Sequence, residues 1–188
     1  MELYLVRHTT PAIQPGICYG HAELDLHADA DDEIAAVCDK LAALQPAGFY
    51  TSPLLRCRRL AAALSWGEAQ QDARLKELHF GDWEMQRWDA IPREIFDYWA
   101  LRFVEHAPPG GESFQALYQR ASEFFAECAE KHAGQSVVAI THAGVIRALL
   151  AHALKLPLEN VPGFHLDFGG VTKLIVSGPH INVAYVNR

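Results

Sequence analysis

The sequence predicts an α/β fold, a three-layer αβα sandwich with a mostly parallel sheet and an antiparallel edge. Three observations carry this. Short apolar, β-prone runs alternate with segments of helical periodicity, the pattern of βαβ units. The runs ELYLV (2–6) and SVVAI (136–140) are almost wholly apolar, as strands covered on both faces must be. The chain closes with VTKLIVSGPHINVAYV, two strands around a Gly-Pro turn, a hairpin that supplies the antiparallel edge.

Taken in order, residues 2–6 form a buried strand ending near Arg7, where a loop with Pro11, Pro15, Gly16 and Gly20 takes over. From Ile34, the positions Ile34, Val37, Cys38, Leu41 and Leu44 recur at helical spacing, behind the acids Asp29, Asp31, Asp32 and Glu33 that suit a helix start. Gly48–Thr51 is a second short strand. Ser52-Pro53 reads as an N-cap followed by proline at the first helical position, with Leu54–Leu64 as helix. Residues 72–89 are more loop than element. A helix covers Pro92–Val104, APPGGES breaks the chain, and Ser113 caps a helix with Phe114, Leu117, Ala121, Phe124, Phe125 and Cys128 on one stripe. SVVAITHAG then turns from strand into a helix carrying Val145, Ile146, Leu149, Leu150 and Leu154.

The 188 residues fit one domain, 1–188, with no repeat or linker, and are enough to bury a substantial core. Sixteen Lys and Arg against 23 Asp and Glu leave a net charge of -7, a field that repels polyanions and excludes a nucleic-acid surface. Any anion handled must therefore enter a local basic pocket. Cys18, Cys38, Cys57 and Cys128 form no CxxC pair and read as reduced thiols. With no signal peptide and no apolar stretch of membrane length in view, the expected location is cytoplasmic, away from membranes. The sequence is silent on oligomeric state.

In open α/β sheets, ligands sit outside the carboxyl ends of the strands. Three such ends matter: Arg7-His8, Ser52 to Arg56, and Thr141-His142. Arg7 and Arg56 offer planar donor forks that match phosphate oxygens, and their charges repel a divalent metal. No HExxH or similar ligand pair is present, so a site free of metal and cofactor is expected. Neighbouring guanidinium groups keep an imidazole neutral, so His8 can attack phosphorus while Arg7, Arg56 and His142 neutralise the equatorial oxygens. The leaving alkoxide needs a proton, for which Glu77, Asp82 and Glu84 in LKELHFGDWE are candidates.

These motifs together resemble the histidine phosphatase superfamily, with its phosphoglycerate mutase-like fold. LYLVRHTT is similar to its Arg-His-Gly strand end, TSPLLRCRRLA to its Ser-Pro-Leu-x-Arg helix start, and LKELHFGDWE to its acid loop. PGGES is similar to its pre-helix turn, and AITHAGVIRALL to its second-histidine strand and helix. The resemblance implies that His8 is the phosphorylated nucleophile, that Arg7 and Arg56 clamp the phosphate, that His142 completes the pocket and that Glu77 is the general acid. It also implies substrate contacts from Gln14 and from the Gly20 amide, and a structural role for Trp83 and Glu84. The sequence departs from the family at Thr9 in place of glycine, which either crowds the phosphate or adds a hydroxyl donor to it. Cys57 stands for alanine, Leu60 for threonine and Met85 for glycine. The short chain favours a phosphatase over a mutase. The run VRHTTPAIQPGICYGHAELDL most resembles bacterial alpha-ribazole phosphatases, which implies removal of the 5′-phosphate in cobalamin nucleotide-loop assembly. A broad phosphatase of sugar phosphates or phosphoproteins, and an idle phospho-ligand binder, are the rival expectations.

Overall fold

The computed structural model describes residues 1–188. The strands are β1 (Glu2–Arg7), β2 (Gly48–Thr51), β3 (Gln70–Gln71), β4 (Ser136–Thr141), β5 (Val171–Ser177) and β6 (His180–Tyr185). The helices are α1 (Asp31–Leu41), α2 (Leu55–Ala63), α3 (Arg93–Ala100), α4 (Phe114–Lys131) and α5 (Ala143–Leu154). One sheet runs in the order β3-β2-β4-β1-β5-β6. The first four strands pair parallel, whereas β1–β5 and β5–β6 pair antiparallel. This is the mostly parallel sheet with an antiparallel edge that the sequence predicts.

Period-2 alternation along the buried strands sorts side chains to two cores. Leu3 and Leu5 of β1, with Val137 and Ala139 of β4, face Phe114, Leu117 and Phe124 of α4 and Ile146 and Leu149 of α5. Tyr4, Val6, Val138 and Ile140 point the other way, onto Val37 and Leu41 of α1 and Leu60 of α2. Each central strand is thus covered on both sides. All six stripe residues predicted for α4 are buried, and Ser113 caps that helix, its hydroxyl accepting from the Ala116 amide at 3.2 Å.

Two local expectations need correction. The helix predicted over Pro92–Val104 stops at Ala100, where the backbone tightens into a turn and Leu101 is left exposed. Leu54, not Ser52, is the N-cap of α2, and Pro53 lies outside the helix. No helix is long and apolar enough to cross a membrane.

The position of β4 matters most for the site. It lies between β1 and β2, with Arg7 opposite Thr141 and Thr51 opposite Ile140. Three carboxyl ends therefore stop at one level, and His8, Ser52 and His142 step off the sheet beside one another.

Candidate active site

The amide of His8 donates to the Thr141 carbonyl at 3.0 Å, and that of Ser52 to the Ile140 carbonyl at 2.9 Å, so the backbone stays anchored past the last paired residues. The His8 and His142 rings meet edge to face, 5.0 Å between centroids. Arg56, one residue into α2, reaches between them and is completely buried. Its Nε donates to His8 Nε2 at 3.2 Å and its Nη2 to His142 Nδ1 at 3.3 Å. Nη2 also donates to the Gly20 carbonyl at 2.7 Å, and Nη1 to the Ala22 carbonyl at 3.0 Å.

These contacts fix both tautomers. A carbonyl only accepts, so the 2.8 Å contact from His8 Nδ1 to the Thr9 carbonyl places the ring proton on Nδ1 and leaves Nε2 unprotonated, its lone pair accepting from Arg56 Nε. A guanidinium only donates, so His142 Nδ1 accepts from Arg56, and its Nε2–H donates to Ser52 Oγ at 2.8 Å. Burial first, and the Arg56 charge second, hold both imidazoles well below their usual range, so both are neutral at neutral pH. Cys57 Sγ packs 3.4 Å from His142 Nε2, and burial raises its thiol so far that it stays protonated.

Arg7 closes the opposite side. The loop entering β5 folds over it: Nη1 donates to the Leu166 carbonyl, and the guanidinium lies 3.8 Å from the centre of the Phe168 ring. Arg7 Nε is buried without a partner. A buried, unpaired charged donor costs free energy that an anionic ligand recovers. Two guanidinium groups and an unprotonated imidazole nitrogen thus converge, and neither arginine has a carboxylate partner.

The acid loop is built differently. Gly144, in the first turn of α5, donates its amide to Glu77 Oε1 at 3.1 Å and Oε2 at 3.2 Å, and Leu78 donates at 2.9 Å. A β-carbon on Gly144 would fall 2.1 Å from Glu77 Oε1, so glycine there is what lets the carboxylate approach. Arg120 of α4 pairs with Glu112 and donates to the carbonyls of Arg74, Lys76 and Glu77. Of the other acids, Asp82 is exposed. Glu84 accepts from the amides of His21, Ala22 and Phe80, tying the 20–22 loop to the acid loop. Trp83 is buried with Cys18 and Ile91 against Phe96 and Trp99.

Of the residues picked from sequence, His8, Arg7, Arg56 and His142 are brought together, and Glu77 stands beside them at the start of α5. Gln14 is exposed and its side chain makes no hydrogen bond. Gly20 contributes its carbonyl, to Arg56, and a β-carbon there would collide with the Leu78 carbonyl at 2.0 Å. Thr9 is fully buried; its carbonyl sets the His8 tautomer, and its hydroxyl has no partner. Sequence reasoning set Ser52 at the right strand end but gave it only a capping role, not its contact with His142, and missed Phe168. A serine before proline signals a cap, and nothing local to Phe168 announces an arginine far away in the chain.

A sequence profile of the histidine phosphatase superfamily (branch 1) matches residues 3–188. The chain belongs to this superfamily. An adenosylcobalamin/alpha-ribazole phosphatase of Escherichia coli K12 is 30% identical over 90% of this chain and 87% of its own. A metal-independent phosphoserine phosphatase of Arabidopsis thaliana is 29% identical over 79% of this chain and 66% of its own. The crystal structure of the alpha-ribazole phosphatase from Shigella flexneri superposes with a TM-score of 0.89 at 26% identity, covering 100% of this chain and 96% of that one. This superfamily member is accordingly a phosphatase, and its fold is the phosphoglycerate mutase-like one.

Proposed function

We propose that the whole chain, 1–188, acts as one domain that hydrolyses phosphomonoesters without a metal, through a phosphohistidine on His8, and that its substrate is alpha-ribazole 5′-phosphate. The observation that carries this reading is the unprotonated Nε2 of His8, which accepts from Arg56 Nε, on a ring held neutral by burial and flanked by two arginines that have no carboxylate partner.

In the first step Nε2 attacks phosphorus, the P–O ester bond breaks, and the departing alkoxide takes a proton from the Glu77 carboxyl. Arg7, Arg56 and His142 stabilise the charge on the equatorial oxygens. In the second step water loses its proton to Glu77 and attacks phosphorus, and the P–N bond breaks to release inorganic phosphate. Histidine and carboxyl both return to their starting states. The arginines neutralise the phosphoryl charge that a divalent cation would otherwise balance. The buried Thr9 hydroxyl has no partner within the protein, which supports the reading of Thr9 as a donor to the phosphate.

The substrate rests on likeness to alpha-ribazole phosphatases over nearly the whole chain. The test is phosphate release from alpha-ribazole 5′-phosphate beside sugar, nucleoside and serine monophosphates, with EDTA present and His8→Ala as control. Selective turnover that survives EDTA and is abolished in His8→Ala is expected, with acid-labile phosphate trapped on wild-type protein alone. EDTA-sensitive turnover would overturn the metal-free mechanism. A flat profile would favour the broad phosphatase, and tight phosphate binding without turnover the idle binder.

A further inference from the structure

α3 presents two unlike faces. Phe96 and Trp99 turn inward, where their rings pack against Trp83 and Trp88. Ile95, Tyr98 and Leu101 recur every third residue, so they follow one another along a different side of the helix and into the turn that ends it. They are 48%, 52% and 80% exposed, and they are three of the five large hydrophobic side chains that the protein leaves in solvent. Single apolar side chains are ordinary on a protein surface. Three on one stripe mark a contact face.

The charges beside the stripe indicate what covers it. Glu94 and Arg102 stand four residues to either side of Tyr98, and both are exposed. The one ion pair within α3 joins Arg93 to Asp97 at 3.1 Å. Arg102 rests instead on an aromatic ring, its guanidinium 4.4 Å from the centre of Tyr98, and Glu94 has no basic partner in the chain. Eight residues apart, Glu94 and Arg102 are separated by about 12 Å along a helix and do not meet each other. A second copy of the chain, laid antiparallel about a two-fold axis at Tyr98, reverses the order. Glu94 then comes level with the second copy's Arg102, Arg102 with its Glu94, and Ile95 with its Leu101. A two-fold interface must complement itself, and this one does so in charge as well as in apolar surface. A parallel pairing would instead set Glu94 against Glu94 and Arg102 against Arg102.

We infer that this face of α3 is where two copies of the chain associate, as an antiparallel helix pair centred on Tyr98 with a Glu94–Arg102 ion pair on either side of it. A single helix face falls short of the roughly 1,000 Å² that a lasting interface buries, so the dimer is weak and its population follows protein concentration. The dissociation constant expected is on the order of 10–100 µM.

Sedimentation velocity on the full chain, from about 1 to about 200 µM, tests this, since it brackets that constant. Wild type should pass from monomer towards dimer across the range, and Leu101→Asp should stay monomeric throughout. Glu94→Arg and Arg102→Glu each turn both cross-copy pairs into like charges, and each should weaken self-association by about tenfold. An equimolar mixture of these two variants should dimerise as well as wild type, because the mixed pair regains both attractions. The three positions are exposed, and an unchanged circular dichroism spectrum checks that each variant is folded. Wild type that remains monomeric at the highest concentration overturns the inference. So does a dimer that survives Leu101→Asp or either charge reversal, or a pair of charge variants that stay apart on mixing. None of these readings depends on phosphate release, so the inference stands or falls apart from the phosphatase reading.

Discussion

Arg56 and Arg120 are both arginines held inside the protein by carbonyls, and they sit in opposite electrostatic settings. Arg120 has Glu112 beside it, and its remaining donors bind the carbonyls of Arg74, Lys76 and Glu77 where the acid loop begins. Arg56, with no exposed surface, has two imidazoles and two carbonyls and no acid at all. A neutralised buried cation fixes a loop; an unneutralised one awaits an anion. The contrast divides scaffold from chemistry more sharply than burial or bond count, since both residues are well bonded.

The largest expected effect breaks the comparison on the Arg56 side. Arg56→Gln should lower kcat by on the order of a hundredfold or more, the loss seen when one preorganised donor to a developing charge is removed. Its urea midpoint should fall less than that of Arg120→Gln. A greater loss of stability in the Arg56 variant would make it scaffold after all.

Arg120→Gln should cost about 2 kcal/mol, because Glu112 is left partly buried and unpaired while three carbonyls lose their donor. The urea midpoint measures it. Because Glu77 is carried on that backbone, kcat should drop more than KM changes, whereas activity untouched at an equal stability loss would detach the network from the acid.

The two histidines sharpen the comparison through pH. Their folded pKa values are depressed by burial and by Arg56, while the unfolded chain titrates near 6.5. Below about pH 6.5 the unfolded state binds protons that the native state refuses. Stability should therefore be fully present above that value and decline as pH falls, by up to about 1.4 kcal/mol per pH unit for each histidine. Melting temperatures from pH 7.5 to 5.5 should show this, with a shallower slope in His142→Gln. An unchanged slope in that variant would mean that His142 carries a proton in the native protein.

The smallest effect lies outside both arginine networks. Met85 takes φ 65°, the left-handed region, at the position where the superfamily resemblance puts glycine. Met85→Gly should stabilise the chain by on the order of 0.5–1 kcal/mol, strain relief outweighing the added freedom of the unfolded state. A lower melting temperature would mean that the exposed side chain contributes more than its backbone costs.

Much of this was legible in the sequence because the informative residues sit at ends of elements. A buried strand followed by a helix marks its own carboxyl end, so Arg7-His8 and Thr141-His142 could be placed together before any coordinates. Arg56 followed from the same logic one residue into a helix. What stayed hidden depends on contacts between distant segments. Ser52 carries a capping signal that His142 overrides, and Gly20 gives its carbonyl where an amide was expected. The ring of Phe168, just before β5, lies against Arg7 only because β5 pairs with β1. Local pattern locates strand ends; it does not say which side chain a neighbour will claim.

The order of strands in the sheet also has a consequence for biosynthesis. β1 emerges first from the ribosome, yet its neighbours β4 and β5 begin only at Ser136 and Val171. Throughout most of translation the segment carrying Arg7 and His8 has neither flanking strand, and its apolar side chains lack the two cores that later cover them. Arg7 and His8 are thus made early and packed late. Until β4 and β5 are available, the nascent chain relies on whatever shields exposed apolar strands from aggregation.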